Sequence, residues 1–84
     1  MITAKQAYDI MCGRLDSNMY IVGMAEYSDG YIFDIMEKGK EGLYRNLSAW
    51  PRIDKTGQPG TLHFLNWAKE VDAGKTKWLD ISEF

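Results

Sequence analysis

Met19-Tyr-Ile-Val-Gly-Met-Ala-Glu-Tyr27 and Tyr31-Ile-Phe-Asp-Ile-Met-Glu37 flank Ser28-Asp29-Gly30. Both runs are rich in aromatic and β-branched residues, which suit the pleated surface of a sheet. Glycine tolerates positive φ, so Asp-Gly between two such runs predicts a hairpin over 19–27 and 31–38. Two registers compete. A two-residue Asp29-Gly30 loop pairs Tyr27 with Ile32. A three-residue Ser28-Asp29-Gly30 loop with a bulge at Gly30 pairs Tyr27 with Tyr31. The second sets Ala25 and Gly23 beside Phe33 and Ile35, and leaves Glu26, Asp34 and Lys38 near water, so it is preferred. A slip of one residue would exchange the faces.

Outward from the hairpin, the N-terminal segment reads as a helix. Thr3-x-x-Gln6 is a capping box, in which the Thr3 hydroxyl accepts from the Gln6 N–H and the Gln6 side chain reaches back. Ala4, Ala7, Tyr8, Met11 and Leu15 fall on one helical stripe. Gly13 can close the helix in the left-handed conformation. The helix is expected over about 4–13. On the other side, Gly39 and Gly42 make 39–49 a loop. Trp50-Pro-Arg-Ile-Asp54 reads as an edge strand, because Pro51 cannot donate in a central one. Asp54-Lys-Thr-Gly57 is a turn. Leu62, Leu65, Ala68 and Phe64, Trp67, Val71 recur at helical spacing, between a Thr61 cap and a Gly74 stop. This predicts a helix over about 62–73, entered through Gly57–Thr61. Residues 76–81 add a last strand.

The fold class is therefore α+β: a small antiparallel sheet on a central hairpin, with two helices packed mainly on one face. Eighty-four residues make one domain, 1–84. Tyr8, Tyr20, Phe33, Phe64 and Trp67 are assigned to the core, and Tyr27, Tyr31 and Trp78 to a half-exposed sheet face.

Composition narrows the function classes. The chain holds one cysteine and one histidine. No internal disulfide can form, so the fold needs no oxidising compartment. With no secretory leader and no apolar run of membrane-spanning length, the expected location is cytoplasmic and no membrane partner is expected. Metal binding by Cys and His is close to excluded. Cys12 reads as a small buried hydrophobe, and His63 as a structural or solvated residue without catalytic partners. Gly57-Gln-Pro-Gly60-Thr61 lacks the lysine of a phosphate loop and reads as a helix-entry turn. No catalytic residue, metal or cofactor is expected, and the protein is read as not an enzyme.

Net charge is −2 but uneven. Residues 1–37 carry Lys5 and Arg14 against six carboxylates, while 38–55 carry five cations against Glu41 and Asp54. The basic-aromatic stretch holds Lys40, Tyr44, Arg45, Trp50 and Arg52, the candidate partner-binding residues. Arg, Tyr and Trp combine buried area with fixed polar handles and are enriched at binding hot spots. The competing reading is that Trp50 and Tyr44 anchor a long loop while the cations are solvated. The function expected is a small protein-binding module: an inhibitor, immunity or phage-encoded antagonist protein. The alternatives are a nucleic-acid-binding domain using the same stretch and a homo-oligomer, a homodimer included.

Gly30-Tyr31-Ile32-Phe33 and the stretch from Asn46 through Pro51-Arg-Ile-Asp-Lys-Thr-Gly57, behind a leading helix, resemble small PepSY-like domains, closest to the YrhB-type immunity-protein group. The resemblance spans about two thirds of the chain. It implies a single-sheet α+β fold and a role in binding or inhibiting another protein, and it carries over no catalytic residue.

Overall fold

The computed structural model describes residues 1–41 and 48–84. In chain order the elements are α1 (Ala4–Cys12), β1 (Met19–Tyr27), β2 (Gly30–Glu37), β3 (Ala49–Asp54), β4 (Pro59–His63), α2 (Phe64–Asp72) and β5 (Lys77–Trp78), with a closing 3₁₀ turn at Ile81–Glu83. The strands form one antiparallel sheet in the order β4-β3-β2-β1-β5. The α+β class built on the central hairpin is as the sequence implies.

The capping box forms: Gln6 N–H donates to Thr3 Oγ1 at 3.1 Å, and Thr3 N–H donates to Gln6 Oε1 at 2.8 Å. This satisfies two donors that a helix start otherwise leaves free. Gly13 does not take the left-handed conformation; its φ is −68°. The N–H groups of Arg14 and Leu15 donate to the carbonyls of Met11 and Cys12. The helix thus unwinds through right-handed turns and needs no reversal there. Gly57 and Gly74 do have positive φ, +93° and +70°, as their turn and helix-stop readings require.

Neither expected hairpin register is adopted. The loop is Ser28-Asp29, and Tyr27 pairs with Gly30, Glu26 with Tyr31 and Met24 with Phe33. Gly30 belongs to the strand because β3 crosses it closely. A Cβ there would strike the Ile53 carbonyl oxygen and lie 2.6 Å from Asp54 Cα. A bulge between Ile21 and Gly23 then shifts the register. The extra residue, Val22, puts Ile21 and Met24 in the same cluster although they are three apart.

The two helices serve opposite faces instead of sharing one. Ala7 and Met11 of α1 pack with Ile21, Met24, Tyr31, Phe33, Ile35 and Ile53. Trp67 of α2 packs with Ala25, Tyr27, Ile32 and Leu62. The cause is β2, whose alternate residues Tyr31, Phe33, Ile35 and Ile32 point to opposite sides and are all buried. A strand apolar on both faces must be covered twice. Tyr27 and Tyr31, expected half-exposed, are buried for the same reason.

β3 is an interior strand, not an edge. Pro51 is accommodated because the β2–β3 ladder starts at Arg52, so the missing N–H falls beyond it. Residues 59–63 form β4 instead of entering the helix: Leu62 pairs with Trp50 and Thr61 with Pro51. α2 consequently starts at Phe64, with His63 as its cap; His63 Nδ1 accepts from Leu65 N–H at 3.1 Å. Among the described residues, no helix is long and apolar enough to cross a membrane.

Candidate interaction surface

Trp50 and Arg52 stand two apart on β3, so strand periodicity gives them one face. It is the α2 face. Trp50 packs against the cluster of Trp67 and Leu62. Gly60 lies opposite Arg52 and leaves room for its side chain: a Cβ there would sit 3.1 Å from Arg52 Nε. Arg52 Nη1 donates to the Tyr27 hydroxyl at 3.3 Å. That hydrogen bond, ahead of the opposing effect of burial, raises the guanidinium's pKa. Nε is buried without a partner.

Tyr27 stands edge-on to Trp67 at 6.5 Å, and Trp67 edge-on to Trp78 at 6.1 Å. This geometry suits the ring quadrupoles. Arg52, Tyr27, Trp67 and Trp78 thus form one chain of contacts across the sheet. Lys40 is exposed near the far end of β2, 3.0 Å from Glu37. Tyr44 and Arg45 lie outside the described residues. Of the five candidates, the structure brings together Trp50 and Arg52.

Both are half-buried. Exposed apolar side chains stand on α2 and on β5: Phe64 is 52% exposed, Leu65 60%, Val71 48% and Trp78 56%. Phe64 was expected in the core. Helical spacing does place Phe64, Trp67 and Val71 on one stripe, but only Trp67 reaches the sheet. The missing signal was the length of the cover, since β4 takes residues that a longer helix would have used. Ser28 Oγ donates to Glu70 Oε1 at 2.6 Å and ties the C-terminal half of α2 to the hairpin loop.

Cys12 is exposed, not buried as expected. It lies one position past Met11, which takes the inward place on α1. His63 acts as a helix cap. Among the described residues no group of three or more His, Cys, Asp or Glu side chains could hold a metal. No protein-family model matches this chain, nor does any curated protein or solved structure.

Proposed function

We propose that the protein is a non-enzymatic module that binds another protein through its α2 side. The observation that carries the reading is the set Phe64, Leu65, Val71 and Trp78, large apolar side chains about half exposed in one layer of a small domain. Exposed apolar surface of this kind, with Lys69 and Asp72 exposed on the same helix, has the composition of an interface centre with a polar rim. Arg52 and Trp50 lie at its margin and extend it toward β3. The likeness of Gly30–Phe33 and Asn46–Gly57 to immunity proteins supports the same reading, that of an inhibitor or antagonist.

The cations favour a protein partner over a nucleic acid. Lys5, Lys40 and Lys55 each lie within 4 Å of a carboxylate, on Asp9, Glu37 and Glu26 respectively. A groove that follows a phosphate backbone keeps its cations for the phosphates.

The test is affinity capture with the wild-type chain beside Phe64→Ser/Leu65→Ser and Trp50→Ala/Arg52→Ala, each checked for folding by circular dichroism. The expected result is a protein held by the wild type, lost with Phe64→Ser/Leu65→Ser and weakened by the β3 pair. Full retention by Phe64→Ser/Leu65→Ser would refute the α2 surface. A dimer mass by light scattering, lost in the same variant, would reassign the surface to a second copy.

A further inference from the structure

β4 is an edge of the sheet: it has β3 on one side and, among the described residues, no strand on the other. Its ladder with β3 fixes which main-chain groups face outward. Asp54 N–H donates to the Gln58 carbonyl, and Phe64 N–H to the Ser48 carbonyl. Both bonds belong to the antiparallel register that sets Arg52 opposite Gly60 and Trp50 opposite Leu62. Bonded and non-bonded pairs alternate along such a ladder. Gly60 and Leu62 therefore turn their N–H and C=O groups to β3, and Pro59, Thr61 and His63 turn theirs away from it.

The outward groups are unequal. Thr61 offers both an N–H and a carbonyl. Pro59 offers a carbonyl alone, because proline has no N–H. His63 offers its N–H, while its carbonyl, at the cap of α2, accepts the first bond of the helix. An arbitrary strand laid here would lose a bond at each of these two gaps. A second copy of β4, antiparallel and centred on Thr61, sets the gaps against each other. Thr61 of each copy exchanges N–H···O=C bonds with Thr61 of the other, and His63 N–H donates to the Pro59 carbonyl. The missing Pro59 donor then falls opposite the spent His63 carbonyl. A two-fold contact requires a patch complementary to itself, and β4 meets that requirement.

Charge does not oppose the pairing. From Thr56 to Ala68 the chain carries no Asp, Glu, Lys or Arg. Sheet edges are commonly guarded by charge or by shortness. The opposite edge, β5, has both guards: it is two residues long and carries the exposed Lys77. β4 runs for five residues, exposed except at Leu62.

We propose that β4 is a homodimer seam, at which two copies pair antiparallel through Pro59–His63 about a two-fold axis at Thr61 and join their sheets into one. The seam is the main-chain edge of β4, so the proposal goes beyond the α2 reading and does not rest on it.

The test follows mass by light scattering and amide hydrogen exchange in the ¹⁵N-labelled full chain over a rising concentration series. Gly60 and Leu62 amides, bonded to β3, are expected to be protected throughout. Thr61 and His63 amides are expected to exchange freely in dilute solution and to become protected as the mass doubles. Thr61→Pro removes the central outward donor and spares the β3 ladder, since proline is tolerated on an edge strand where its nitrogen faces water. It is expected to halve the mass at concentrations where the wild type is a dimer. Thr61→Lys, at an exposed position, sets like charges opposite each other; it should also halve the mass at low salt, with recovery at high salt, and it serves as the test if circular dichroism shows that Thr61→Pro does not fold. Phe64→Ser/Leu65→Ser leaves the main chain of β4 in place and is expected to keep the protection of Thr61 and His63. A monomer mass at millimolar chain, free exchange of Thr61 and His63 within a dimer, or a dimer that survives both Thr61 variants would each overturn the proposal. The Thr61 variants retain Phe64 and Leu65, so affinity capture with them separates the failure of this seam from the failure of the α2 reading.

Discussion

One sheet carries two unequal layers. On the α1 side eight buried residues among those described form a cluster, sealed by Ile2 from one end of the chain and by Leu79, Ile81 and Phe84 from the other. Phe84 stands edge-on to Tyr8 at 5.4 Å. On the α2 side the cluster has five buried residues among those described, with Trp50 at its margin, and α2 contributes only Trp67 to it. The difference follows from size. β2 demands cover on both faces, and a short chain has too little material for two complete layers. The thinner layer is where apolar side chains stay in water. Stability therefore rests mainly on the α1 side, and the proposed recognition surface lies on the α2 side.

The strongest way to break this comparison is to empty each layer in turn. Phe33 is fully buried in the α1 cluster. Phe33→Ala is expected to cost about 3–5 kcal/mol, a large share of the roughly 4–13 kcal/mol available to a domain of this length. Trp67→Ala should fall at the low end of the same range, because its surroundings are already open on one side. Urea unfolding of the two variants measures both. A larger loss for Trp67→Ala would make the α2 layer the principal core.

What could be read in the sequence was local. The Thr3–Gln6 box joins residues three apart, and Gly57 and Gly74 mark reversals that only glycine makes easily. The placement of Trp50 and Arg52 on one face follows from strand period alone. What could not be read was set by contacts distant in sequence. Leu62 opens the helical pattern behind a turn over 57–61, yet β3 supplies a partner strand for Pro59–His63 and wins it. The hairpin register depends on a bulge at Val22 and on the passage of β3 over Gly30. The exposure of Phe64 depends on how far α2 extends, which its spacing does not encode. Gly30 shows the limit best: it was read as a turn glycine, and it is needed because another strand's backbone lies against it.

That point yields a sharper and smaller prediction. Gly30→Ala places a methyl against the backbone of Ile53 and Asp54, which cannot move without disturbing the β2–β3 ladder. A loss of about 1–3 kcal/mol is expected. Gly13→Ala makes only ordinary contacts, at 3.6 Å from the Asp9 and Ile10 carbonyl oxygens, with a right-handed backbone. It should be neutral or stabilise by about 0.4–1 kcal/mol, through the unfolded chain. Thermal melts of the two variants decide the matter. Equal losses would mean that Gly30 matters as a flexible turn residue and not for the crossing.

The smallest effect is a dependence on pH at two turns that border the α1 layer. Asp54 Oδ1 accepts from the Thr56 hydroxyl at 2.6 Å, from Thr56 N–H at 2.9 Å and from Gln58 N–H at 3.0 Å, which builds the turn between β3 and β4. These bonds, the Thr56 hydroxyl first, hold its carboxyl below the ordinary 3.8. Asp80 is held down likewise, first by the Ser82 hydroxyl and then by the Ser82 N–H, in the segment that seals the α1 layer. A carboxyl with a depressed folded pKa stabilises the fold above its unfolded value, and that stability is lost as pH falls through the folded value. Melting temperature should therefore drop on acidification below about pH 3.8. Asp54→Asn and Asp80→Asn should each flatten that drop, Asp54→Asn the more, since its carboxylate accepts from more donors. Identical acid profiles in wild type and both variants would show that neither carboxylate couples the fold to pH.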